Sequence, residues 1–173
     1  MKSRRGVMQE LHFLLKNVEF LTEGQCKITD IDESGKVNAL RFVVKIVPDS
    51  GPYRFGKFDF LFKVTRSYPT ICPDIRCLTH IYHPNIDESG EICLSLFEDW
   101  SPEYNCLMHC VYGLLFLLKN PNLDDPLSPY FCPEDANCLE SFHENVRKSL
   151  EGGVVDGFIT FERNLVDKKD YKE

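Results

Sequence analysis

The chain has 173 residues, one domain's worth, and its 43% hydrophobic and 12% aromatic content is enough for a sizeable core. Lys and Arg number 20 against 27 Asp and Glu, and the net charge of -7 argues against general nucleic-acid binding, which begins with a basic field. No apolar run reaches the ~18 residues of a membrane span. The opening Met1-Lys2-Ser3-Arg4-Arg5-Gly6 lacks the apolar stretch and cleavage site of a signal peptide, so the expected setting is cytoplasmic or nuclear, with no membrane partner.

Met8, Leu11, Leu14 and Leu15 recur at helical spacing and predict a first helix over residues 3–17. Arg4 and Arg5 stand at its start, where the helix dipole disfavours cations. They form either a solvated end or a docking patch. Ile28 and Ile31 precede a turn at Asp32-Glu33-Ser34-Gly35. Leu40, Phe42, Val44 and Ile46 then alternate with other residues, as in a strand with one buried face. Pro48-Asp49-Ser50-Gly51-Pro52 breaks that strand, and Phe58, Phe60, Phe62 and Val64 alternate again. After Ser67-Tyr68-Pro69 a short strand is expected from Asp74 to Leu78. Strands joined by short turns, with no helix between them, make an antiparallel meander.

Residues 79–104 carry little periodicity, and a long irregular stretch inside one domain is usually functional. Leu107, Val111, Leu114, Leu115 and Leu118 predict a central helix, apolar on most sides and stopped by Pro121. Asp124-Asp125-Pro126 reads as a turn. Asp135 is placed to cap a last helix with a Leu139, Phe142, Val146 and Leu150 stripe, ended by Gly152-Gly153. The expected class is α+β: a first helix, a four-stranded antiparallel meander, a long loop, then a central and a C-terminal helix. Residues 1–151 would form the core and 152–173 a tail, mobile from Asp167 onward.

The sequence has 8 cysteines, but without a secretory signal disulfides are not expected. There is no C-x-x-C, and the closest spacings, Cys72/Cys77 and Cys106/Cys110, suit structural zinc poorly, so no metal site is predicted. Most of these cysteines read as small buried hydrophobes, which leaves room for one with a chemical role.

That one lies in Tyr82-His83-Pro84-Asn85-Ile86 … Gly90-Glu91-Ile92-Cys93-Leu94. A cysteine thiolate can hold an acyl group as a thioester. A nearby amide can donate to the oxyanion formed when an amine attacks it. Pro84 would stiffen the Asn85 carrier, and Gly90 would let the loop turn. A thioester is already activated, so a mildly perturbed thiol suffices, unlike the histidine-depressed cysteines of proteases. Positioning and desolvation of the incoming amine would lower the barrier.

His-Pro-Asn followed by Cys93 resembles the ubiquitin-conjugating enzyme family. Tyr68-Pro69, Trp100-Ser101-Pro102 and Asn120-Pro121-Asn122-Leu123-Asp124-Asp125-Pro126-Leu127 extend the resemblance across nearly the whole core. It implies an enzyme that takes an activated ubiquitin-like protein from an activating enzyme onto a cysteine and passes it to a substrate lysine with a ligase's help. Cys93 matches the nucleophile. Asn85 matches the asparagine that stabilises the oxyanion or holds the active-site loop. Asp125 matches the acidic residue that places and deprotonates the lysine, its alternative being a plain turn carboxylate. Leu127 matches a gate residue, and His83 a structural histidine rather than a base. Thr70 and Trp100-Ser101-Pro102 match the loops a RING-type ligase grips, although bulkier residues often stand at Thr70, and Trp100 can equally pack under a loop. Arg4 and Arg5 lie on the helix that meets the activating enzyme. No cofactor is implied, because ATP is used by the activating enzyme.

Within the family, Glu98-Asp99-Trp100-Ser101-Pro102, Gly51 to Phe58, Val146 to Gly153 and Phe161-Glu162-Arg163-Asn164-Leu165 look like the neddylation branch, which carries the cullin-modifying ubiquitin-like protein. Cys72, in place of the usual first proline, and Leu94-Ser95-Leu96 depart from that branch. The branch's apolar N-terminal docking extension does not precede the first helix in this sequence, so slower charging is expected than with one. The alternatives are a ubiquitin carrier of the same fold, a non-catalytic binding variant, and a cysteine hydrolase pairing Cys93 with His109 or His143.

Overall fold

Alternating phenylalanines set the centre of the molecule. A computed structural model describes residues 4–32, 39–131 and 136–166, with backbone alone for Arg4, Arg5, Ala39 and residues 136–139. In β3 (Phe58–Thr65), Phe58, Phe60 and Phe62 are fully buried and their neighbours are only half-buried. Two-residue periodicity sends successive side chains to opposite faces, so one face is core. β2 (Ala39–Ile46) pairs antiparallel with β3, placing Ile46 opposite Phe58 and Leu40 opposite Val64. Phe42 lies opposite Phe62, and their rings stack 5.0 Å apart. β1 (Cys26–Asp32) and β4 (Asp74–Cys77) complete a meander in the order β1-β2-β3-β4, as the sequence predicts.

Helix α1 spans Arg4–Leu21, longer than expected, because Val18 continues its buried face. That face is Leu11, Leu14 and Val18, with Val7 packed beside it. Met8 and Leu15, read from the sequence as part of the stripe, are exposed. Positions 7, 11, 14 and 18 hold one side of the helix better than 8 or 15 does. After the one-turn helix α2 (Ser95–Glu98), α3 (Leu107–Lys119) buries Leu107, Val111, Leu114 and Leu118 in the core shared by the sheet and α1. α4 (Ala136–Glu151) buries Phe142, Val146 and Leu150. The turn at 33–35, the Asp135 cap and the mobility expected from Asp167 lie outside the described residues. No helix among the described residues is long and apolar enough to cross a membrane.

The segment after α4 folds back on the molecule. β5 (Val154–Val155) and β6 (Ile159–Thr160) form a small hairpin, with Val155, Ile159 and Phe161 buried. Lys57 N–H donates to the Asn164 carbonyl at 2.9 Å, and Val166 N–H donates to that of Phe55 at 2.8 Å. Phe161 also stacks on His80, just ahead of the His-Pro-Asn tripeptide. Two-residue strands are too short to announce themselves by periodicity.

Cys26, Cys77 and Cys110 are buried, whereas Cys72, Cys93 and Cys106 are half-buried, and all of these are free thiols. The side chains of Cys132 and Cys138 lie outside the described ones.

Glu10 of α1 ties the helices to the loops. Its Oε1 accepts the Tyr68 hydroxyl at 2.6 Å and the Leu107 N–H at 2.7 Å. Leu107 opens α3, and the N-cap residue Cys106 supplies no side-chain bond of its own. An acceptor from α1 therefore satisfies one of the helix's orphan donors, where the dipole favours a negative charge. Glu10→Ala should lower the unfolding free energy by about 1–3 kcal/mol in urea titrations. Glu10→Gln, which keeps an acceptor, should cost less.

Candidate active site

The His-Pro-Asn tripeptide is wholly buried, and each of its residues holds a different part of the molecule. Ahead of it, the buried Tyr53 donates its hydroxyl to the Tyr82 carbonyl at 2.6 Å and stacks on the His83 ring at 4.8 Å. His83 Nδ1 accepts the Asn85 N–H at 2.9 Å, so the ring proton sits on Nε2 and faces the Leu117 carbonyl at 3.3 Å. Burial pulls the imidazole down to about 3. A neutral ring with both nitrogens engaged is a tether between loop and α3, not a base.

Pro84 offers only its carbonyl, which accepts from both Leu127 N–H at 2.8 Å and Ser128 N–H at 2.9 Å. The Asn85 carbonyl accepts the Cys93 N–H at 3.0 Å. The Asn85 side chain reaches the other way. Its Nδ2 donates to the carbonyls of Asn122 at 2.9 Å and Asp125 at 3.3 Å, and its Oδ1 accepts the Asn122 N–H at 2.8 Å. The sequence left open an oxyanion donor or a loop holder. In this structure the carboxamide is bonded to the backbone of Asn122 and Asp125.

Gly90 closes the loop with φ +80, and its carbonyl accepts the Cys77 N–H of β4 at 2.9 Å. A Cβ there would collide with the Cys77 carbonyl oxygen, so only glycine permits this approach. Asp87 Oδ1 gathers the Ser89 and Glu91 N–H groups, each at 2.9 Å, and braces the turn.

Cys93 is half-buried, and its Sγ–H donates to Glu98 Oε1 of α2 at 3.3 Å. Burial pushes the thiol above its ordinary value, and the Glu98 bond and the charges of Glu98 and Asp125 push it the same way. This is the reverse of a protease cysteine. The histidines weighed for a hydrolase lie elsewhere: His109 is 3.4 Å from Cys106, and His143 packs edge-on to Phe142. Asp125 and Leu127 are exposed on the segment tied to Pro84 and Asn85, so the clamp joins the segment expected to form the gate to the loop that carries Cys93. Glu98 had no role assigned from the sequence, because a one-turn helix without buried residues leaves no pattern to read.

The two loops expected to meet a ligase are joined. Trp100 Nε1 donates to the Pro69 carbonyl at 2.6 Å, and its ring lies 5.9 Å from that of Tyr68. Thr70 and Pro102 are exposed at their tips, and Ser101 N–H is held by Asn105 Oδ1 at 2.8 Å. Trp100 therefore packs, and by packing it fixes the two loops. Arg4 and Arg5 lie in the first turn of α1, and their side chains are outside those described.

Residues 9–150 match the family model described as ubiquitin-conjugating enzyme. The chain belongs to the ubiquitin-conjugating enzyme family. It is similar to the Nedd8-conjugating enzyme UbcE2M of Drosophila melanogaster, with 44% identity over 67% of this chain and 64% of that protein. The NEDD8-conjugating enzyme ubc12 of Schizosaccharomyces pombe is 38% identical over 90% of this chain and 87% of its own length. Among solved structures, S. cerevisiae Ubc12 superposes with a TM-score of 0.71 at 26% identity, covering 92% of this chain and 99% of that one. The match to the Drosophila relative spans just under two-thirds of that protein.

In this member of the ubiquitin-conjugating family, His83 should stay neutral down to acid pH. NMR titration should show no ionisation of its ring between pH 8 and 5. Because the folded value lies below the ordinary 6.5, the unfolded chain binds the extra proton. The stability contribution is complete above about 6.5 and is lost as pH falls toward 3. A His83 midpoint near 6.5 in the folded protein would contradict the tether.

Proposed function

We propose that this chain is a carrier for a ubiquitin-like modifier, by the resemblance of its relatives the NEDD8-type modifier of cullins. It would receive the modifier as a thioester on Cys93 and pass it to a substrate lysine. The observation that carries the reading is Cys93 itself. Its N–H is anchored on the Asn85 carbonyl, its sulfur faces carboxylates rather than an imidazole, and its thiol is held up rather than ionised.

The chemistry follows from that environment. Within the complex with the activating enzyme, Cys93 loses its proton and its sulfur attacks the modifier's thioester carbonyl. The bond from that carbonyl carbon to the activating enzyme's sulfur breaks, and the departing thiolate takes up a proton. Free energy is conserved from one thioester to the next, so no strong base is needed. Among the described residues the sulfur's hydrogen-bond partner is the Glu98 carboxylate and not an imidazole. In the second step a lysine amine attacks the carbonyl beside the gate of Asp125 and Leu127, and the Cys93 thiol is released.

The joined loops at Thr70 and Trp100 to Pro102 suit a RING-type ligase, and the first turn of α1 with Arg4 and Arg5 suits the activating enzyme. The chain would act in the cytoplasm, the nucleus or both, with cullins as substrates.

Incubation with a NEDD8-type modifier, its activating enzyme and ATP should give an adduct that a thiol reductant cleaves. Cys93→Ser should give an adduct that resists reductant, since an alkoxide leaves far less readily than a thiolate. Cys93→Ala should give none. Charging only with ubiquitin and its activating enzyme would move the reading to a ubiquitin carrier. A reductant-sensitive adduct on Cys93→Ala would place the nucleophile elsewhere.

A further inference from the structure

Glu98 touches the reacting atom, and the reaction abolishes the bond by which it does so. Its Oε1 accepts the Cys93 Sγ–H at 3.3 Å. Once the sulfur is acylated it has no hydrogen to donate. Glu98 is exposed on a single helical turn without buried residues, so packing does not hold its carboxylate away from solvent or from an incoming group. The charges of Glu98 and Asp125 both disfavour the Cys93 thiolate, and the backbone of Asp125 is fixed by the Asn85 amide. The loaded enzyme thus presents a carboxylate beside the scissile thioester that has lost its donor. The nucleophile still to arrive, a lysine side chain, is a cation at neutral pH with protons to donate.

We infer that Glu98 is a further catalytic residue, which receives the substrate's ammonium group beside the loaded Cys93 and accepts the proton that must leave before the amine attacks. The inference rests on the carrier reading above. The proton balance closes. The ammonium gives one proton to Glu98, and the neutral nitrogen attacks the carbonyl carbon. The nitrogen then sheds a second proton to solvent as the isopeptide bond forms and the carbon–sulfur bond breaks. The leaving Cys93 sulfur takes back the proton on Glu98, which restores the Sγ–H to Oε1 bond of the resting enzyme. Glu98 can hold the ammonium through the charge-assisted bonds such a group makes.

The test uses the full chain loaded with its modifier, separated from the activating enzyme and discharged in a single turnover at neutral pH. Free lysine arrives charged, whereas hydroxylamine arrives uncharged and needs no ammonium receptor. Glu98→Gln should lower the ratio of lysine to hydroxylamine discharge on the order of tenfold relative to the parent, and Glu98→Asp should recover part of the loss. On the unloaded enzyme, Glu98→Gln should speed alkylation of Cys93 by iodoacetamide, because removing the carboxylate lets the thiol ionise more readily. A ratio equal to the parent's, or equal slowing with both nucleophiles, would overturn the assignment. So would alkylation no faster than in the parent. Failure of the parent chain to form any thioester is a different result, which removes the carrier reading itself.

Discussion

Asn85 is only 2% exposed, and its carboxamide exchanges hydrogen bonds with backbone groups of Asn122 and Asp125, about forty residues along the chain. An irregular segment pressed against a core must find partners for its backbone polar groups, and each one left buried and unpaired costs about 1–3 kcal/mol. Three adjacent residues meet that requirement here. His83 holds α3 through the Leu117 carbonyl, the Pro84 carbonyl takes Leu127 and Ser128, and Asn85 takes both the Cys93 N–H and the 122–125 backbone. The loop that carries Cys93 and the segment 122–128 are therefore not independent loops. They are two sides of one polar clamp, and the buried aromatic stack of Tyr53 on His83 sets its depth in the fold.

What this clamp leaves outside matters as much. His109 meets Cys106 and His143 packs on Phe142, whereas the Cys93 sulfur meets Glu98. A thiol raised by burial and by neighbouring carboxylates is a poor spontaneous nucleophile. That suits a residue whose acyl group arrives already activated and must survive until an amine is delivered. The same carboxylates that disfavour the thiolate favour a cation, so one arrangement of charge serves the resting and the loaded states differently.

Much of this was legible in residue order. Phe58, Phe60 and Phe62 alternate strictly, and they lie where that alternation puts them. The tripeptide and Cys93 drew attention by their types and spacing, and the fold does bring them together. Other features carry no local signal. Met8 and Leu15 are as apolar as Leu11, and only the position of the sheet decides which face of α1 is covered. Glu10 reads as a solvated helix residue until Tyr68 and the start of α3 are brought to it. The hairpin after α4 rests on Val155, Ile159 and Phe161, too few and too scattered to show a period. Glu98 lies five residues after Cys93, and its meaning depends on a single turn of helix whose residues bury nothing.

Amide hydrogen exchange tests the clamp most directly. The N–H groups of Asn122, Leu127, Ser128 and Cys93 all donate to Pro84 or Asn85. They should be protected in the parent protein. In Asn85→Ala the Asn122 amide should lose protection outright, and those of Leu127 and Ser128 should weaken with it, while the amides paired between β2 and β3 keep theirs. If the amides of 122–128 kept their protection in Asn85→Ala, the gate would be held by something other than this tripeptide, and the account of how the site is built would fail.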